Sequence, residues 1–411
     1  EADGVPVKDE ITIIGRLGDM YGKRRMLLVS LTLLAAGSLV GALAESLAVL
    51  LVARALQGLA IGVIPLGISI LRDELPPDKV GGGIALVSAT LGLGGGMGLP
   101  LSGVVASTLG WHALFWILLA VSALTFALVT VVVPESPIRT PARFDLVGAI
   151  GLSATLLALL LVISKGADWG WTGPLTLGTL GAALLVGRAW IAWEHRQAAP
   201  LVDLITTLRR PVLLTNIASV LIGFAMFCQF LTTIDLVTLP AVTGHGFGRS
   251  ITAAGLCQLP GALMMIAVSP LSARLSDARG PRVTLLAGSL LIAAGYIVRI
   301  VLHAELWHLS VTAMVIYSGI GLAYGALPAL IMANVPVSET AAANAANALS
   351  RLVGASVGSA TASAVLVTLT VTVAGETYPS ATAFLVLSAV GAAAALGAAT
   401  LARAIALPEH R

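Results

Sequence analysis

Residues 15–27, GRLGDMYGKRRML, return 258 residues later as ARLSDARGPRVTL, residues 273–285. Arg16, Leu17, Asp19, Gly22 and Arg24 reappear as Arg274, Leu275, Asp277, Gly280 and Arg282. The match continues into the following apolar run, where Leu27, Leu33 and Gly37 align with Leu285, Leu291 and Gly295. A charged turn that recurs at the same place in two hydrophobic halves marks an internally duplicated, membrane-embedded chain, an organisation typical of transporters.

Composition agrees. Of the 411 residues 57% are hydrophobic and 10% charged, against about 25% charged in soluble domains. The mean hydropathy is +0.98, and long charge-free runs require helices that cross a bilayer. The net charge of +3 is not gathered on a basic face interleaved with aromatics, so nucleic acid is not the expected partner. Cys228 and Cys257 lie in apolar runs, as small packing residues do. The six histidines have no metal-ligand spacing, and His303 and His308 flank Glu305 in a short loop. Neither a metal nor a cofactor is expected, and no cluster of His, Asp, Glu or Cys points to catalysis.

Apolar runs predict twelve spans, at 26–44, 48–71, 81–107, 113–133, 146–164, 174–193, 212–240, 251–270, 283–302, 309–331, 345–373 and 382–406. The second charged turn follows two helices of its half. The first follows only EADGVPVKDEITII, which is too short and polar to span. The expected plan is therefore an all-α polytopic fold of fourteen helices whose first two are lacking here. Residues 1–14 are a stub, 15–133 an N-terminal half, 134–211 a linker with an extra helix pair, and 212–411 a C-terminal six-helix half. With the first charged turn inside, seventeen of the 23 lysines and arginines fall on the cytoplasmic side, and only Lys165 and Arg249 fall in outside loops. This predicts a cytoplasmic C-terminus.

Several residues carry chemistry that a purely apolar span would not need. Arg54 stands in LLVARALQG, where a buried cation costs about 2.5–3.5 kcal/mol on insertion scales. It either faces a cavity or snorkels to the surface. Asp235, in FLTTIDLVTLP, is the only acid well inside an apolar run, and it either serves a cavity or marks the outer interface. Asn216, Gln229, Gln258, Tyr317 and Tyr324 are candidates to line a cavity, and Arg299 and Arg351 are ambiguous. In the turn itself, Gly15 and Gly22 permit a tight path between helices. Asp19 can accept from a helix N-terminus or pair with an arginine, a contact able to lock one state of a gate. Lys23, Arg24 and Arg25 also serve as a basic anchor. The run LGLGGGMGLPLSG, with Gly92, Gly96, Gly98, Pro100 and Gly103, allows helices to approach closely and bends the backbone. It has no lysine to meet a phosphate.

Taken together, Gly15-x-Leu17-x-Asp19-x-x-Gly22-Lys23-Arg24-Arg25, Arg54-x-x-Gln57-Gly58 and the glycine-rich run resemble the signature motifs of the major facilitator superfamily. The extra central pair and DWGWTGP (168–174) resemble its fourteen-helix drug:proton antiporter branch. The fifth-helix motif departs from the usual adjacent Gly-Pro, having Gly98-Leu99-Pro100. The acidic first-helix motif of the family has no counterpart in EADGVPVKDEITII. The resemblance implies alternating access, with proton-driven export of amphipathic drugs or antibiotics. It assigns gating to Gly15, Asp19, Gly22, Lys23, Arg24 and Arg25, with Asp277, Gly280 and Arg282 as their repeat. Coupling falls to Arg54 and Gln57, to which the intramembrane Asp235 is added as a candidate. The implied setting is a monomer in a bacterial inner membrane, handling a small-molecule substrate and a proton. The alternatives are an uptake permease of the same superfamily and a truncated, non-transporting remnant.

Overall fold

A computed structural model describes residues 22–60, 63–74, 76, 98, 101–106, 108–134, 145–197, 208–335 and 340–405. These fall into two compact units, divided between Phe144 and Asp145. The first unit holds α1 (Lys23–Ala42), α2 (Leu47–Leu59), α3 (Val63–Glu74) and α4 (His112–Val132). The second holds α5 (Leu146–Trp169), α6 (Pro174–Glu194), α7 (Arg210–Thr238), α8 (Ile251–Arg279), α9 (Pro281–Val301), α10 (Leu306–Asn334), α11 (Thr340–Thr368) and α12 (Ala381–Ala404). Ten helices among the described residues are long and apolar enough to cross a membrane.

The helix boundaries follow from local chemistry. The side chains of Ser46, Asp145, Ser250 and Ser380 accept a hydrogen bond from the first turn of α2, α5, α8 and α12, so each relieves one orphan amide. Proline opens α6, α7 and α9, where its missing N–H costs nothing. Glu305 and His308 form a reciprocal capping box at the start of α10, so His308 belongs to a helix and not to the loop expected of it.

Four expected spans need correction. The run at 48–71 is described as two shorter helices, α2 and α3, with residues 61 and 62 between them outside the described residues. The span at 251–270 continues to Arg279, with Pro260 and Pro270 inside it, and the span at 146–164 continues to Trp169. The run at 345–373 ends as a helix at Thr368, and Thr370–Val373 instead pairs antiparallel with Glu376–Pro379. Hydropathy alone could not separate these states. The β-branched TVTV and the turn at Ala374 (φ 55°) and Gly375 (φ 85°) decide for a hairpin. The span at 81–107 lies largely outside the described residues, although 101–106 are helical.

Within each unit the repeated helices pack alike: α1 lies against α2 and α4, and α9 against α10 and α12. The 258-residue offset carries α2 and α3 onto the two ends of α10. A methyl group on Gly37 would come within 2.9 Å of Gln57 Cγ, and one on Gly295 within 3.2 Å of Val315 Cγ1. Gln57 and Val315 are the same position in the two copies. The second unit's core runs between α7, α9, α10 and α12 through Ile222, Leu285, Ile292, Ile316, Ile320 and Leu327. Among the described residues of the first unit, a core centres on Leu27, Leu31, Leu66 and Ile70.

Candidate functional site

The charged turn is sharper than the sequence predicts. In the second copy the chain stays helical through Asp277 to Arg279, turns at Gly280 alone (φ 86°), and restarts at Pro281. Asp277 therefore sits exposed in the last turn of α8 rather than in a loop, and no ion pair forms on it among the described residues. In the first copy Gly22 adopts the same left-handed backbone, with φ 104°, immediately before α1. Only glycine adopts such a φ without strain, which accounts for its return in both copies.

The repeated arginine performs the same task twice. Arg24 donates from Nη2 to the carbonyl oxygen of Thr130 at 2.5 Å, in the last turn of α4. Arg282 donates from Nε to the carbonyl of Ala402 at 3.1 Å and from Nη2 to that of Arg403, in the last turn of α12. The final four carbonyls of a helix have no partner within it and carry the negative end of its dipole. A guanidinium satisfies both needs and ties the start of one helix to the end of another. Lys23 is buried beside this turn and Arg25 is exposed.

Arg54 lies on α2. Its guanidinium donates to Gln57 Oε1 at 3.1 Å and sits 5.0 Å from the centre of the Phe115 ring of α4. Gln57 in turn donates to Ser38 Oγ of α1 at 3.1 Å. The two residues of the Arg54-x-x-Gln57 motif are thus one hydrogen-bonded unit that links α2 to α1 and α4.

The second unit has three buried polar clusters. In the first, Asn347 of α11 donates to Asn216 at 3.0 Å and Ser219 at 2.6 Å on α7, and accepts from Arg351 at 2.6 Å. Arg351 also covers the Tyr324 ring at 5.2 Å, and the Tyr324 hydroxyl meets Met226 Sδ at 3.3 Å. In the second, Tyr317 donates to Gln258, which donates to the carbonyl of Phe230. In the third, Arg299 of α9 donates from Nη1 to Gln229 and Thr233 of α7, and the Tyr296 hydroxyl donates to the carbonyl of Ala225. All five uncharged polar candidates thus fall into clusters that bridge helices. Asn347 went unnoticed in the sequence, although an asparagine inside AAANAANALSR was the available signal. Asp235 is half-buried in the last turn of α7 and joins none of these clusters.

Gly98 is helical and exposed, and Gly103 is buried. Gly15, Asp19, Gly92, Gly96 and Pro100 lie outside the described residues. Cys228 and Cys257 are buried free thiols.

Ten helices among the described residues that are long and apolar enough to cross a membrane, with one helix-turn-helix unit built twice, define a multi-pass membrane protein. The sequence profile of the Major Facilitator Superfamily matches residues 11–359, and the chain belongs to that family of transporters. It is 29% identical over 355 residues to the multidrug resistance protein Stp of Mycobacterium tuberculosis (strain CDC 1551 / Oshkosh), covering 85% of this chain and 65% of that one. It is 29% identical over 369 residues to the tetracenomycin C resistance and export protein of Streptomyces glaucescens, covering 89% of this chain and 67% of that one. The chain thus spans about two thirds of the length of these relatives. Among solved structures, the peptide transporter POT in complex with sulfate superposes with a TM-score of 0.64 at 18% identity, over 96% of this chain and 82% of that one. This last likeness concerns the fold.

Proposed function

We propose that the protein exports amphipathic drugs or antibiotics by alternating access, driven by inward movement of protons across a bacterial inner membrane. The observation that carries this reading is the similarity to two relatives named for drug resistance and antibiotic export, spread over 85% and 89% of the chain. The duplicated turn supports it. Two arginines that bind the open carbonyls of a neighbouring helix make contacts that can break without exposing apolar core, as a gate between two states needs. Arg54 and Gln57 couple protonation to substrate release, with Asp235 as a second candidate, and Asp19 supplies the acceptor charge of the gate.

The test is efflux of a fluorescent cationic dye from cells that make the full-length protein, normalised to membrane protein. Arg54→Ala removes a cation from an apolar setting, so a loss of efflux reports function and not failed insertion. Arg54→Lys keeps the charge but loses the planar donor fork and rescues poorly. Asp19→Asn inserts normally and exports slowly. Normal efflux by both Arg54 variants removes its coupling role, and full activity of Asp19→Asn reduces the turn to a topology signal.

A further inference from the structure

The second unit contains a small cavity of about 30 Å³, lined by Leu236 of α7, His245 of the following loop, Arg299 of α9, His303 just beyond it, and Ala381, Phe384, Leu385 and Ser388 of α12. That volume suits one water or one monatomic ion. Arg299 is only 3% exposed, and it cannot shed its proton. Its Nη1 is satisfied by Gln229 and Thr233, but its Nη2 is buried with no hydrogen-bond partner. No carboxylate forms an ion pair with Arg299 among the described residues. Asp235, two residues beyond Thr233 on the same helix, does not reach it. A buried cation without a counter-charge is strongly unfavourable.

The rest of the lining favours an anion. Leu236, Ala381, Phe384 and Leu385 make apolar walls, and a low dielectric strengthens the attraction of a guanidinium for a small anion. The Ser388 hydroxyl is turned away, donating to the carbonyl of Phe384 at 2.8 Å. Both ring nitrogens of His245 lie 3.0 Å from carbonyl oxygens, of Thr243 and of Pro379, so this wall is tied to the end of the hairpin. The exposed His303 also lines the cavity and makes no hydrogen bond among the described residues. We propose that this cavity binds a small monovalent anion of halide size, chloride in the cell, held by Arg299 Nη2 as the counter-ion of a permanently buried arginine. The anion fastens the outer ends of α7, α9 and α12, and it is independent of whichever compound the protein transports.

The probe is chloride. The purified full-length protein is melted in chloride and in gluconate, which is too large for the cavity, at equal ionic strength. Chloride is expected to raise the melting temperature by a few degrees in a saturable way, as a ligand of the native state must. Arg299→Gln abolishes the difference, while Arg249→Gln, at an exposed cation outside the cavity, retains it. If Arg299→Gln fails to fold, the wild-type protein in bromide still decides: an anomalous-scattering peak beside Arg299 Nη2 supports the site. Equal melting in chloride and gluconate, an undiminished chloride effect in Arg299→Gln, or no bromide peak at the cavity each overturns it.

Discussion

The two units share one turn and differ in what lies beneath it. In both, a left-handed glycine precedes a helix and an arginine two residues later binds the last carbonyls of another helix, Thr130 in one and Ala402 with Arg403 in the other. Below the turn the copies part. At the positions of Gly41 and Arg299, which the repeat aligns, the first unit packs the Phe115 ring against a glycine, and the second buries an arginine. The first unit's own cation, Arg54, arrives from α2 and is exposed, whereas Arg299 is sealed among α7 and α12. The repeat thus keeps the device that connects helices and varies the polar groups between them. A motif that recurs is shared machinery, and a polar residue that does not recur is where the halves have taken different tasks.

The largest test of this contrast is steric. A methyl group on Gly354 of α11 would run into the carbonyl oxygen of Val220 on α7, whereas one on Gly58 of α2 meets nothing within 4 Å among the described residues. Gly354→Ala should cost about 3 kcal/mol or more, since backbone must move to admit it. Gly58→Ala should be neutral or stabilising by up to about 1 kcal/mol, through helix propensity. Reversible unfolding in mixed micelles measures both. Equal losses would deny that the second unit is the tighter one.

The shared device predicts a shared penalty. Arg24→Ala and Arg282→Ala each remove charge-assisted bonds to helix-end carbonyls, at about 1.5–3 kcal/mol. The same unfolding assay should give the two variants similar losses. A cost for one alone would mean that the turns are alike in sequence only.

A smaller difference separates the polar interiors. Asn347→Ala leaves Asn216, Ser219 and Arg351 without their common partner in a buried site, at about 1–3 kcal/mol. Gln57→Ala, at a half-exposed position, should lose less, about 0.5–1.5 kcal/mol. The reverse order would sink the view that the second unit's clusters are the sealed ones.

The smallest effect concerns the hairpin, which the first unit does not show among its described residues. The Tyr378 hydroxyl donates to Glu376 Oε2 at 2.5 Å, and this bond to a carboxylate holds the phenol above the usual tyrosine range. A raised value in the folded state means that the bond's contribution is present below the free tyrosine range and is lost as pH rises through the higher, folded value. In a tyrosinate absorbance titration, Tyr378→Phe should remove the step of this exposed phenol, and Glu376→Gln should move that step earlier. An unchanged curve in Glu376→Gln would show that the pair does not form.

Much of the fold was legible, because each unit's repeat is written in residues whose types have one use. Gly22 and Gly280 imply a backbone only glycine adopts, and the apolar runs imply spans. The hairpin was not legible, because Thr370–Val373 is as apolar as the helix before it. The division of the run at 48–71 into α2 and α3 is announced only by Gly62 and by Pro65, the third residue of α3, a position that a helix start tolerates and a continuous span also admits. At the site, Arg24 and Arg282 were visible as a pair, but their partners were not. A backbone carbonyl carries no signature in sequence, so only the packing of α1 on α4 and of α9 on α12 shows what the arginines hold. Asn347 and Arg299 fall to the same limit, since their meaning depends on which helix lies opposite.

The central claim is that a proton gradient moves an amphipathic compound through this protein. The most direct measurement uses the full-length protein in sealed proteoliposomes loaded with fluorescent cationic dye, with the pH stepped on one side only. The account predicts dye movement against its own gradient when protons can run the other way, collapse of that movement with a protonophore, and its loss in Arg54→Ala with the protein still folded. Dye flux that is the same with and without the pH step would contradict it.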